Sequence, residues 1–87
     1  MGAKLINLGY GNAVLTDRIV AILTPATLPV KRIQAQAQKD NRLIDVTCGR
    51  KTRAVIITDS DHIILSGFEP QTLCQRIDGA KPRRGVR

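Results

Sequence analysis

The rhythm of apolar and polar positions changes several times along the chain, and each change marks an element. "KLINLG" (Lys4–Gly9) alternates well enough for a short strand, with Leu5 and Ile6 apolar and Asn7 closing it. "GYGN" (Gly9–Asn12) reads as a loop, since both glycines can take positive φ. "AVLTDRIVAILTP" (Ala13–Pro25) is apolar and β-branched except at Thr16-Asp17-Arg18. That pattern predicts an extended segment with a kink or bulge at the polar triplet, then a strand Ile19–Thr24 stopped by Pro25.

The period then lengthens. In "LPVKRIQAQAQKDNR" (Leu28–Arg42), Val30, Ile33 and Ala37 recur at helical spacing. Thr27 suits the N-cap, Pro29 the first helical position, and Asp40-Asn41 the end. "LIDVT" (Leu43–Thr47) predicts a strand and Cys48-Gly49 a turn. "RAVIITDSDHIILSG" (Arg53–Gly67) predicts a hairpin around Asp59-Ser60-Asp61. Both of its strands are apolar at nearly every position, so both faces should be covered. One helix layer in so short a chain rarely covers two faces, and a second subunit is the expected cover for the other. "EPQTLCQRIDG" (Glu69–Gly79) predicts a short helix, with Pro70 at its first position, Leu73 and Ile77 inside, and Gly79 as its stop. The resulting order is β-β-α-β-β-β-α. It describes a small α+β domain, residues 1–79, with a mainly antiparallel sheet and two helices. Residues 80–87, "AKPRRGVR", form a basic tail with no core pattern, expected to be disordered.

Length adds a constraint. A chain of 87 residues is one domain, and one this small buries only about 60% of its unfolded surface. Disulfides are not the expected reinforcement. Cys48 and Cys74 form no C-x-x-C pair and no even framework, and read as reduced, partly buried thiols. Oligomerisation is expected instead. No leader pattern opens the sequence, and no apolar run approaches the roughly 18 residues of a membrane span. A cytoplasmic protein is the expectation.

Charge points to a polyanionic partner. Formal net charge is +7. However, Lys81, Arg83, Arg84 and Arg87 crowd the tail, and without them ten bases face seven acids. Clustering inside the domain therefore says more than the total. Arg50, Lys51 and Arg53 fall within four positions after Gly49. Guanidinium groups match phosphate oxygens with two-pronged hydrogen bonds, and an ammonium adds a point charge. On local sequence alone, a solvated strand edge that blocks aggregation explains such a cluster more often than a phosphate site does. Arg18, between two apolar runs, is a weaker candidate of the same kind. Lys31, Arg32, Lys39 and Arg42 spread around several helix faces and read as solvation.

Other chemistry is thinly represented. Asp59-x-Asp61-His62 is better explained as a hairpin turn than as a metal site. "GYGNAV" has Val14 where a dinucleotide fingerprint needs glycine, and "GRKT" lacks the first glycine of a phosphate-binding loop. No catalytic constellation is present, so neither an enzyme nor a cofactor is expected. Tyr10 and Phe68 are the only aromatic residues. Their scarcity weighs against modules that stack unpaired bases on aromatic platforms.

"INLGYGN" (Ile6–Asn12), Arg18-Ile19, "P-KRI" (Pro29–Ile33) and above all "GRKTRAVIITDSDHIILS" (Gly49–Ser66) resemble the RemA family of bacterial regulators of extracellular matrix genes. The resemblance runs from about Lys4 to Gly79. It implies a cytoplasmic, nucleoid-associated transcriptional regulator of biofilm matrix genes that binds double-stranded DNA. It also implies a fold like LytTR DNA-binding modules and a closed homo-oligomeric ring of about seven or eight subunits. The family's DNA-binding arginines fall on Arg18, Arg50 and position 51; Arg53, from the same local cluster, is expected to support them. Position 51 is Lys51 here rather than the usual arginine, which keeps charge and loses the planar fork. Two other classes stay open: an oligomeric protein-binding adaptor, and an RNA-binding module.

Overall fold

The computed structural model describes residues 5–80. Residues 81–87, nearly all of the basic tail, lie outside the described residues. The order is β1 (Leu5–Gly9), β2 (Asn12–Leu15), a single 3-10 turn (Thr16–Arg18), β3 (Ile19–Leu23), α1 (Leu28–Lys39), β4 (Leu43–Asp45), β5 (Ala54–Thr58), β6 (Ile63–Ser66) and α2 (Pro70–Ala80). The α+β class stands. The strand count before α1 is three, because the polar triplet Thr16-Asp17-Arg18 closes into a 3-10 turn. That turn splits the expected kinked segment into two strands with different partners.

β1 and β2 form an antiparallel hairpin, pairing Leu5 with Leu15 and Ile6 with Val14. β3 instead joins the main sheet, whose order is β3-β5-β6-β4. β3, β5 and β6 run antiparallel in turn, and β4 lies parallel to β6. Parallel pairing is required because α1 crosses one face to carry the chain from the β3 edge to the β4 edge.

Alternation along the central strands divides the core in two. Val55 and Ile63 face α1, where they meet Val30, Ala37 and Leu65. Ala54, Ile56 and Ile64 face the other way, onto Ile6 and Leu8 of the hairpin and Leu73 of α2. This corrects the expectation of a second subunit over that face: the β1–β2 hairpin and α2 cover it within one chain. Both β5 and β6 thus read as apolar runs for an intramolecular reason. Ile56 and Leu73 are fully buried, each stabilising by about 1.5–3 kcal/mol relative to exposure.

The helix ends follow the local sequence. Thr27 has extended backbone angles but makes no side-chain cap; its carbonyl accepts from Lys31 N at 3.1 Å. At the far end Asn41 takes φ 59°. Arg42 N then donates to Ala37 O (2.8 Å) and Asn41 N to Gln38 O (3.2 Å), the paired bonds of a Schellman stop. β4 is two residues shorter than the pattern suggests. The Asp45 carboxylate captures Thr47 N (2.9 Å) and Thr47 Oγ1 (2.6 Å), which turns the chain out of the strand. Cys48 and Cys74 are free and exposed rather than partly buried.

Candidate nucleic-acid interface

Between β4 and β5 the chain has no regular structure, yet its path is determined. Asp45 fixes Thr47, which is buried. Cys48 (φ 55°) and Gly49 (φ 84°) then both adopt left-handed angles. Gly49 suits that region because it has no Cβ to clash. Arg50 N closes the turn on Thr47 O at 3.1 Å. The same hydrogen bonds hold the Asp45 carboxyl below the usual carboxylate range, the Thr47 hydroxyl first and its backbone N–H second. Asp45 is thus a support for the basic loop that the sequence pattern did not reveal.

The loop presents Arg50 and Lys51 to solvent. Neither makes an ion pair among the described residues. The Arg50 guanidinium lies 5.5 Å from the centroid of the Tyr10 ring, at the tip of the β1–β2 hairpin. Arg53 differs. Its backbone N–H donates to Ser66 O at 2.8 Å and its Nη1 pairs with Glu69 Oε2 at 3.4 Å. Its charge is therefore partly offset on the spot. The three clustered cations also do not lie in the strand, which begins at Ala54. Strand alternation consequently does not decide which way Lys51 and Arg53 point.

Arg18 sits elsewhere. Its carbonyl accepts from Asp59 N (2.9 Å) and its Nε donates to Asp59 Oδ1 (2.9 Å). This anchors it beside the β5–β6 turn, past the C-terminal end of β5, whereas Arg50 and Lys51 precede the N-terminal end. From Arg53 to Asp59 is six residue steps, roughly 20 Å at the usual strand rise. One chain therefore does not gather Arg18 with Arg50 and Lys51; it sets them at opposite ends of its central strand. The Asp59 contact takes only Nε and leaves the terminal nitrogens of Arg18 without an ion-pair partner among the described residues.

Arg42 and Arg76 have structural partners. Arg42 donates through Nη1 to Asp61 O and pairs through Nη2 with Asp40 (3.2 Å), tying the end of α1 to the β5–β6 turn. Arg76 donates to Asn7 O (3.1 Å) and lies 4.5 Å from the Phe68 centroid, tying α2 to the hairpin. In the turn itself, Ser60 Oγ and His62 Nδ1 are 2.8 Å apart, and His62 N donates to Thr58 Oγ1 at 3.1 Å. That places the polar run Asp59–His62 in a self-bonded turn. Among the described residues no three His, Cys, Asp or Glu side chains are grouped to hold a metal ion, and no helix is long and apolar enough to cross a membrane.

Comparison with known proteins agrees with the resemblance of the Gly49–Ser66 stretch. The profile of a family described as RemA-like, extracellular matrix regulatory protein A-like, matches residues 5–77. A candidate regulatory protein of Syntrophobacter fumaroxidans is 53% identical over 77 residues, covering 88% of this chain and 82% of the relative. One from Clostridium botulinum (strain Eklund 17B) is 56% identical over 77 residues, covering 88% and 86%. One from Moorella thermoacetica is 55% identical over 82 residues, covering 94% and 90%. The match takes in the hairpin, both core faces and the loop carrying Arg50 and Lys51: the chain belongs to the RemA-like family of regulatory proteins.

Proposed function

We propose that this protein is a DNA-binding transcriptional regulator that works as a ring-shaped homo-oligomer and controls extracellular matrix genes. The observation that carries the proposal is the loop before β5. Two adjacent exposed cations, Arg50 and Lys51, stand on a left-handed turn with no carboxylate partner among the described residues. Unopposed cations on an ordered backbone suit phosphate, since little charge must be displaced before contact. Duplex DNA fits better than single strands, because Tyr10 is the one aromatic side chain the described surface exposes strongly.

One chain offers few contacts, and repetition is what makes them useful. Within the chain, β3 and β4 are the outer strands of the sheet. Val20 on β3 and Ile44 on β4 are exposed, as is the cross-strand pair Leu5 and Leu15 on the hairpin. The two edges lie on opposite sides of the sheet, so contact between them is head-to-tail, and a head-to-tail contact that closes makes a ring. A closed ring repeats Arg18, Arg50 and Lys51 at fixed spacing and raises their effective concentration along one duplex. Sequence preference then comes chiefly from how readily DNA bends along the rim.

Size-exclusion chromatography with light scattering, with and without duplex DNA, tests the proposal. The expected result is an oligomer that co-elutes with DNA at low salt and releases it at high salt. A monomer that ignores DNA refutes it. Retention of a protein partner independent of salt, without DNA, would indicate an adaptor. Preference for duplex RNA over DNA of equal length would indicate an RNA-binding module.

A further inference from the structure

Resting on that reading of the Arg50–Lys51 loop, we infer that Tyr10 is a positioning residue of the DNA interface, its ring holding the Arg50 guanidinium for phosphate. Tyr10 is 57% exposed and contributes little to either core. Its backbone takes φ 56°, between Gly9 at 91° and Gly11 at 81°. A bulky residue in that region is uncommon and persists only where the surroundings over-determine it.

The surroundings do so. Gly9 N donates to Asn7 Oδ1 at 2.7 Å, and Asn12 Nδ2 donates to Gly9 O (3.1 Å) and Tyr10 O (3.4 Å). Phe68 lies under the tip, 3.4 Å from where a Cβ on Gly9 would stand. Arg76 ties the same hairpin to α2. The tip is thus braced from below while its tyrosine points away from the core, and the Arg50 guanidinium sits 5.5 Å from the ring centroid. An aromatic face attracts a guanidinium at this range without using its N–H groups. The fork of Arg50 therefore stays available to a phosphate, and the side chain loses less freedom on binding.

The test is fluorescence anisotropy on a labelled random-sequence duplex with wild type, Y10F, Y10L, R50A and Y10L/R50A, each checked by thermal melting. Y10L should weaken binding about two- to tenfold per bound chain, the cost of immobilising one rotamer-rich side chain that the ring no longer holds in advance. Y10F, which keeps the ring, should stay within about twofold of wild type. Y10L/R50A should bind as R50A does. In free protein, the Arg50 side-chain protons should show a ring-current shift in wild type and Y10F that Y10L loses. A second variant separates aiming from folding. Y10G relieves the backbone and should melt no lower than wild type, yet bind as weakly as Y10L. Wild-type binding by Y10L, independent losses from Y10L and R50A, or a Y10G that melts well below wild type would each overturn the inference while leaving DNA binding intact. A folded wild type that binds no duplex overturns the proposed function itself, and this role with it.

Discussion

Replacing Arg50 and Lys51 together by alanine removes two exposed cations that make no ion pair among the described residues. Folding should change by no more than about 1 kcal/mol, the range of the exposed cation–π contact that Arg50 makes with Tyr10. The backbone turn also depends on Asp45, Thr47 and Gly49 rather than on either side chain. DNA affinity should fall, and its salt dependence should flatten. Each lost phosphate contact lowers the slope of log affinity against log salt by about 0.9, so two contacts give about 1.8 per bound chain. Across a fourfold rise in salt, that is about tenfold less loss of affinity per chain. Arg53→Ala is the control. It removes one formal charge from the same cluster, but Arg53 already faces Glu69, so its slope change should be well under one contact. Anisotropy titrations at several salt concentrations, with light scattering to confirm an unchanged oligomer, read both. An unchanged slope in the double variant, or an equal change from Arg53→Ala, would refute the assignment.

Other expectations concern the support of the loop and the core. Gly49→Ala should destabilise by about 1–2 kcal/mol in urea unfolding, because alanine is strained at φ 84° even though its Cβ would meet nothing within 4 Å; unchanged stability would mean the turn is not left-handed. Asp45 has a folded pKa lowered by the Thr47 hydroxyl and N–H, so its stabilisation is present above the unfolded value of about 3.9 and lost as pH falls through the lower folded value. Asp45→Asn should therefore lessen the loss of stability below about pH 4, which urea midpoints across that range would show. Leu73→Ala should cost about 2–5 kcal/mol by opening a cavity under the hairpin, a large fraction of the stability of so small a domain; a melting temperature near that of wild type would contradict the packing described.

How legible all this was depends on sequence distance. The α1 stripe Val30, Ile33 and Ala37 faces the core as its spacing predicted, and Asp40-Asn41 ends the helix. The two-sided apolar character of β5 and β6 was also legible, but not what covers it. That cover depends on the β1–β2 hairpin folding over the sheet, and the contact has no local signature. Arg18 with Asp59 is a pair 41 positions apart, and Tyr10 with Arg50 is similarly remote. Neither follows from periodicity, since each depends on two turns meeting only after the sheet has formed. Asp45 was hidden differently, as an ordinary polar residue inside an apparent strand. Its reach to Thr47 is an Asx turn and offers a local signal, Asp followed two residues later by Thr.

The distribution of the basic residues bears on what position 51 requires. Arg50 has an orienting aromatic ring at 5.5 Å, and Arg18 has an orienting carboxylate at 2.9 Å. Lys51 has no ion-pair partner among the described residues, and an ammonium has no planar fork to orient. On the proposed reading the side chains that gain from orientation are therefore the two arginines, and Lys51 supplies charge alone. A lysine there serves phosphate contact as an arginine would, whereas bidentate discrimination between bases, worth about 1–3 kcal/mol per contact, would have to come from Arg50 or Arg18. On that reading, with these two set at opposite ends of β5, a single chain would contact the duplex at two separated points. Such spacing favours a partner whose own phosphates are regularly spaced and held on a stiff axis. It gives duplex DNA, rather than a flexible single strand, the better geometric match to one subunit and, more strongly, to a repeated array of them.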